Sequence, residues 1–238
     1  MVDKQRQIVI LFGPPGAGKG TQAELLSDKL SLYAFDTSKI LEEGFKQAKN
    51  LTEDSPERFI EVDKEKFDIL KEKELWTKGV LCSPPFVTYL IKEKVKKLFE
   101  DGENIIFSGS PRTVYEAEEE IPYFIDLYGK GNIKAFFINI SAEQTIFRNS
   151  NRKICELMRH SILFNKETEN LSICPLDGSK LLKRELDTLE TIKVRIKEFQ
   201  ERTFPIINVF EKQGIEVCEI NGEQPIADVF KDILLKLT

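Results

Sequence analysis

No apolar run in this 238-residue chain reaches the ~18 residues needed to span a bilayer, so no transmembrane helix is expected. The opening Met1-Val2-Asp3-Lys4-Gln5-Arg6 lacks the pattern of a secretory signal. Positive charge is also in short supply. With 35 Lys and Arg against 40 Asp and Glu, the net charge of −5 offers no basic footprint, which argues against nucleic acid as a partner. Cysteine is scarce: Cys82, Cys155, Cys174 and Cys218 are too few and too scattered for a disulfide framework. Together these absences point to a soluble protein of the reducing cytoplasm. Cys82 and Cys218 read as small buried apolar residues without a function. The rest of the composition, 41% hydrophobic and 32% charged, is that of an ordinary globular chain. Its length suits one large domain or one domain with insertions.

The most informative stretch is Gly13-Pro14-Pro15-Gly16-Ala17-Gly18-Lys19-Gly20-Thr21, directly after the apolar run Ile8-Val9-Ile10-Leu11-Phe12. A buried strand feeds a glycine-rich turn, and a helix leaves it near Lys19. Without Cβ atoms in the way, backbone N–H groups can turn inward as an anion cradle. The helix N-terminus adds partial positive charge, and Lys19 reaches for outer phosphates. This is a P-loop, G-x-x-x-x-G-K-[ST], with one departure. Gly20 takes the place of the Mg²⁺-binding hydroxyl, and Thr21 comes one residue late.

Five apolar runs read as buried parallel strands: Ile8–Phe12, Leu32–Phe35, Ile105–Phe107, Ile133–Ile138 and Ile215–Ile220. Helical patterns separate them. Ser141-Ala142-Glu143-Gln144 has capping-box spacing and opens a helix to about Asn151. Leu189, Ile192, Ile196 and Phe199 recur at helical spacing, with Pro205 interrupting the far end. Pro225 starts a final amphipathic helix. The alternation predicts an α/β fold, a doubly wound five-stranded parallel sheet with nucleotide phosphates at the strand C-termini. Two stretches break the rhythm and read as inserted covers over a core of 1–36, 83–151 and 188–238. Residues 37–82 are dense in Lys and Glu and read as helical without a strand. Residues 152–187 carry two cysteines and the turn Pro175-Leu176-Asp177-Gly178.

In this order, the motifs resemble those of the adenylate kinase and nucleoside-monophosphate kinase family across nearly the whole chain. The family's G-x-P-G-x-G-K-G-T is Gly13–Thr21, and its D-G-F-P-R-T is Ser108-Gly109-Ser110-Pro111-Arg112-Thr113. Arg148 and Arg152 fall on the two arginines at the start of the lid, Arg184 and Arg195 on the two after it, and Asp187 on an acidic residue between them. Asn221-Gly222-Glu223-Gln224-Pro225 is similar to the loop that holds the donor base. The resemblance implies reversible transfer of the ATP γ-phosphoryl group to a nucleoside monophosphate, with Mg²⁺ accompanying ATP. It implies ATP binding by Gly16, Ala17, Gly18, Lys19, Gly20, Thr21, Arg148, Arg152 and Gln224. Thr37, Gly109, Arg112, Glu116, Arg184 and Arg195 would hold the monophosphate. Phosphoryl transfer spreads charge over equatorial oxygens, so Lys19, Arg112, Arg148, Arg152, Arg184 and Arg195 are the expected catalytic cage. A monomer is the expected state.

The departures lie on the acceptor and metal sides. The family's T-G-D-x-x-R becomes Thr37-Ser38-Lys39-Ile40-Leu41-Glu42, which puts Glu42 where a phosphate-binding arginine is expected. Lys39 or Lys46 is a candidate replacement cation. Ser108 and Lys39 stand in for two aspartates that orient Mg²⁺-bound water, leaving the metal to the nucleotide phosphates with Ser108 and Thr21 touching its waters. Glu116 replaces an adenine-reading glutamine. An ionised carboxylate offers only acceptors, which matches guanine better than adenine and predicts a relaxed or altered base preference. Turned elsewhere, Glu116 leaves adenine preferred.

Zinc-bearing lids of this family use C-x-x-C followed by C-x-x-C or C-x-x-D. Here Cys155-x-x-Met158 is incomplete, so a zinc site needs Cys155, His160, Cys174 and Asp177. A metal-free lid is the preferred reading. Two other activities remain open: a nucleotide-binding protein with little turnover, and a P-loop NTPase switch, the latter weakened by the missing hydroxyl after Lys19.

Overall fold

In the computed structural model, residues 6–47, 55, 58–62, 64–184 and 187–237 are described. Strand β1 (Ile8–Phe12) is buried at every position because helices cover both faces of its sheet. Ile8, Ile10 and Phe12 pack into one apolar cluster, whereas Val9 and Leu11 pack into the cluster on the opposite face. That alternation is the two-residue period of a strand. Each fully buried side chain of this kind is worth about 1.5–3 kcal/mol, which sets β1 as the centre of the fold.

Around it lie β2 (Tyr33–Phe35), β5 (Ile105–Ser108), β6 (Ile133–Asn139) and β10 (Val217–Asn221). The sheet order is β10-β6-β1-β5-β2, and every pairing is parallel. All five apolar runs are therefore strands; the second and fifth begin one and two residues later than the runs do. Helix α1 (Lys19–Leu30) follows the glycine loop; α4 (Pro84–Glu100) and α5 (Val114–Tyr128) pack on each other beside β5. Helix α6 (Ala142–Asn151) starts at Ser141, whose hydroxyl accepts the Gln144 N–H at 3.3 Å. The Ser141 N–H goes to Glu223 at 2.8 Å, so this cap is completed from the β10–α9 loop. Helix α7 (Leu189–Glu198) runs into a π-helical turn at Phe199–Thr203 and then α8 (Ile206–Lys212), an interruption placed just before Pro205. Helix α9 (Ile226–Leu237) closes the fold. No helix among the described residues is long and apolar enough to cross a membrane.

Residues 37–82 correct the strandless expectation. After α2 (Thr37–Gln47) comes an antiparallel hairpin, β3 (Phe59–Val62) with β4 (Glu65–Asp68), and then α3 (Ile69–Thr77). Of the charges that suggested a helix, Lys64, Glu65 and Lys66 sit on the hairpin, with Lys64 at φ 73, whereas Lys71, Glu72, Lys73 and Glu74 do lie in α3. Phe67 faces inward against Phe86, with ring centroids 6.3 Å apart, and Arg58 grips Asp68 beneath. Residues 152–187 hold a second small sheet, β7 (Lys153–Cys155) between β8 (Ser161–Ile162) and β9 (Leu181–Leu182). Its open side reaches the core through Phe164, edge-on to Phe147 of α6 at 5.9 Å.

Candidate active site

β1 delivers the chain to the glycine loop, and α1 begins at Lys19 with no side-chain cap on Gly18 and no acidic residue in its first turn. Its first N–H donors are therefore left for an outside acceptor. At Gly16 (φ 80) a Cβ would stand 2.6 Å from Asn149 Nδ2, so only glycine suits both the backbone and the packing. Lys19 Nζ folds back onto the loop, donating to the carbonyls of Gly13 (2.8 Å) and Pro14 (2.9 Å). Burial, then Arg112, Arg195 and Arg152, push the Lys19 ammonium down to about 7.

Gly16, Gly18, Lys19, Gly20 and Thr21 line one wall of a cavity of about 510 Å³, within the range of nucleotide-sized ligand sites. Ala17 is buried behind the loop instead. Gln224 lies outside the cavity lining, and its amide donates to Asp232 at 2.6 Å. Its loop still meets the site, because Arg148 donates to Gly222 O (2.9 Å) and to Gly16 O (3.3 Å).

All five sequence-flagged arginines line the cavity with Lys19. Arg112 leaves the loop after β5 and curls against it: its Nε donates to Gly109 O at 2.5 Å and its Nη2 to Ser38 at 2.9 Å. A Cβ on Gly109 (φ 109) would sit 2.6 Å from that guanidinium, so this glycine makes room for the arginine. Arg152 and Arg195 share the carboxylate of Asp187, at 2.7 and 3.5 Å. Arg184 and Arg159 share Glu42, at 3.3 and 2.9 Å. In each group two cations meet one anion, leaving positive charge over. Burial, then Arg184 and Arg152, push Arg195 down to about 9, and burial lowers Arg184 and Arg148 as well.

The acceptor-side candidates converge too. Thr37, Ser38, Lys39, Leu41 and Glu42 of α2, with Gly109 and Glu116, line the same cavity, and Val80, Leu81, Cys82 and Val87 make its apolar end. Lys39 lies 3.7 Å from Glu24 at the exposed rim; Lys46 is exposed and outside the lining. Cys82 is buried as expected, whereas Cys218 is half-buried. Glu116 is tied down, its Oε2 accepting the Arg112 N–H at 2.7 Å. Burial raises its pKa, and burial with the nearby Glu116 charge raises that of the fully buried Glu120, one turn on.

Asp36 and Arg159 were not singled out in the sequence. Asp36 lines the cavity beside Lys19 and caps α2 by accepting the Ser38 N–H at 2.9 Å. Arg159 is the sole arginine between Arg152 and Arg184, a signal that could have found it.

The segment between Arg152 and Asp187 brings a further group together. Cys155, His160, Cys174 and Asp177 each offer one ligand atom, all within 4.8 Å of one another. His160 Nδ1 faces both sulfurs, at 3.5 and 3.6 Å, and Asp177 Oδ2 stands 3.1 Å from the Cys155 sulfur.

The sequence model of the adenylate kinase family matches residues 11–215. Among similar proteins, the adenylate kinase of Caldicellulosiruptor bescii is 31% identical over 231 residues, 96% of this chain and 98% of that one. The adenylate kinase of Clostridium botulinum (strain Loch Maree) is 30% identical over 94% of this chain and 95% of its own length. That of Mycoplasma capricolum is 29% identical over 94% of this chain and 96% of its own.

Proposed function

The chain belongs to the adenylate kinase family, and from that premise we propose that it catalyses the reversible reaction ATP + AMP = 2 ADP. One observation carries the proposal: an uncapped helix N-terminus and Lys19 share a single cavity with Arg112, Arg148, Arg152, Arg184 and Arg195. Such a set of fixed cations is what a phosphoryl group in flight requires, because its charge spreads over the equatorial oxygens. The planar forks of arginine also suit bidentate phosphate contacts.

In this reading the donor's outer phosphates take the α1 N-terminus and draw Lys19 from the carbonyls of Gly13 and Pro14. Arg148 of α6 and Arg152, just past its end, cover the donor. Arg112, Arg184 and Arg195 serve the acceptor's phosphate, and Thr37, Gly109 and Glu116 flank its nucleoside. Residues 37–82 and 152–187 act as two covers whose closure excludes water, which favours transfer to a nucleotide over hydrolysis.

Bound with ATP, magnesium would supply positive charge to the donor's outer phosphates. The donor set suits it. Thr21 and Ser108 offer hydroxyls and Asp36 a carboxylate within the cavity lining, and Mg²⁺ keeps several waters when it binds through few protein ligands. In the second cover, two thiols, an imidazole and a carboxylate are a zinc donor set. We read Cys155, His160, Cys174 and Asp177 as a structural zinc site, in place of the metal-free lid favoured by the incomplete Cys155-x-x-Met158 pair.

Burial favours the neutral acid at Glu116. A protonated carboxyl offers one donor and one acceptor, the pair that adenine's N1 and amino group require. This supports adenine as the acceptor base, in line with the relatives.

The test is a coupled assay with ATP, Mg²⁺ and AMP, GMP, CMP and UMP, on the parent and on Lys19→Met. The expected result is AMP-dependent turnover that falls by at least about 10²-fold in the variant, with an unchanged circular dichroism spectrum. Equal turnover in the two proteins would remove the glycine loop from the chemistry.

A further inference from the structure

Glu42 and Arg159 make a contact that the proposed reaction does not use. Glu42 lies on α2 with 9% side-chain exposure, and Arg159 lies in the loop between β7 and β8 at φ 60. Both terminal guanidinium nitrogens of Arg159 engage the carboxylate, at 2.9 and 3.2 Å, and Arg184 adds a third contact at 3.3 Å. The pair thus joins the first cover to the second across a cavity that all three residues line. Arg184 is only half satisfied, since its buried Nε has no acceptor among the described residues. The hydroxyl of Thr37, five residues before Glu42 and also lining the cavity, is buried without a partner among the described residues as well. Two cations and an empty N–H around one carboxylate, with an empty hydroxyl in the same cavity, make a place for a group with more oxygens and more charge than a carboxylate has.

We propose that Glu42 is the residue that sets acceptor affinity: its carboxylate holds Arg159 and Arg184 in place of the acceptor's phosphate, and clasps the second cover shut until that phosphate displaces it. The proposal rests on the kinase reading above. Charge decides the direction. A phosphate dianion brings more charge and three free oxygens, so it competes for two arginines that one carboxylate cannot saturate. The freed Glu42 then stands near an anion, and part of the binding energy is spent on that repulsion and on breaking the clasp. Glu42 therefore weakens acceptor binding and closes the empty enzyme. Arg159, a lid residue, becomes a phosphate ligand once the exchange has taken place.

The experiment measures AMP binding by calorimetry and hydrogen exchange of residues 152–184, both on nucleotide-free full-length protein. The variants are Glu42→Gln, Arg159→Gln and the double variant. Glu42→Gln is expected to bind AMP about tenfold more tightly and to exchange faster in the lid. Arg159→Gln breaks the same clasp from the exposed side, so its lid also exchanges faster, but it binds AMP more weakly. The gain from Glu42→Gln shrinks in the double variant, since the two residues act on one contact. Unchanged or weaker AMP binding in Glu42→Gln, with the parent transferring phosphate normally, overturns this inference alone. Unchanged lid exchange in Arg159→Gln overturns the clasp even if Glu42→Gln does not fold. A parent that neither binds nor phosphorylates any nucleoside monophosphate overturns the kinase reading and this inference with it.

Discussion

Arg152 donates to both carboxylate oxygens of Asp187, at 2.7 and 2.9 Å from one nitrogen and 3.0 Å from a second, and so ties the two ends of the second cover together. Asp187 has 2% side-chain exposure and also takes Arg195. One carboxylate thus fixes the base of this segment and holds Arg152 and Arg195 in register. Asp187→Asn keeps the shape and removes the charge, leaving Arg152 and Arg195 facing each other. Both arginines retain some solvent, so a loss of about 1–3 kcal/mol is expected rather than the full cost of a stranded buried ion. Urea unfolding measures it, and an unchanged midpoint and slope would deny Asp187 this role.

Lys19 gives a prediction about protons. Burial and the surrounding arginines push its ammonium down to about 7 from an ordinary value of 10.5. Between those values the unfolded chain holds a proton that the folded, ligand-free protein lacks, so Lys19 makes stability rise with pH across that window. Donor phosphates supply the opposite charge and return the lysine to its ammonium form. ATP binding at pH 8 should therefore take up a proton, approaching one per site, and binding at pH 6 should take up almost none. Calorimetry in two buffers of different ionisation enthalpy reads the uptake. Lys19→Met should abolish it, and equal uptake in parent and variant would assign the proton elsewhere.

Much of this could be read in the sequence because the core is redundant. Ile8–Phe12 is a continuous apolar run and Ile133–Ile138 is broken only by the exposed Lys134, and burial of the apolar positions leaves them no other role. The glycine loop was equally legible, since Gly16 and Gly18 must take positive φ for the cradle to form. The hairpin Phe59–Asp68 was not. It buries one face only, and the charges along its open face mimic a solvated helix. Glu42 was visible as an oddity, but its meaning depends on Arg159, 117 positions away, which no local pattern joins to it. The environment of Glu116 was hidden for the same reason: its pKa is raised by burial, which outweighs the Arg112 N–H that favours its charge.

The second cover carries a metal prediction. Cys155 and Cys174 are buried, with His160 and Asp177 completing the group. The purified protein should contain about one zinc per chain, measured by elemental analysis, and the metal should survive Cys82→Ser but not Cys155→Ser. Removing it with a chelator should speed hydrogen exchange in residues 153–184 while leaving β1 and β6 protected, because the metal's binding energy is local folding energy. Protein free of bound metal after purification without chelator, with lid exchange unmoved by added zinc, would return the lid to hydrogen bonds alone.

The last prediction concerns base reading. Glu116 lines the cavity, accepts the Arg112 N–H at 2.7 Å and faces the Arg112 and Arg202 charges, the Cys82 thiol and fully buried Glu120, which has Lys92 beyond it. Burial outweighs the arginines, so the acid form persists above the ordinary carboxylate range. As pH rises through that raised value, the group loses its donor and keeps only acceptors. AMP then meets a lone pair against a lone pair at N1, a mismatch worth roughly 1–3 kcal/mol. The kcat/KM for AMP should therefore fall with rising pH by about 10-fold or more, whereas that for GMP, whose N1–H and 2-amino group are donors, should hold or rise. Glutamine keeps its donor at every pH. Glu116→Gln should flatten the AMP profile and leave its low-pH value within about threefold of the parent. The ATP KM is the control, since Glu116 is assigned to the acceptor. An AMP profile of the same shape in parent and variant would place base reading on the backbone groups around Leu81 and Cys82, and leave Glu116 as the residue that holds Arg112 in position.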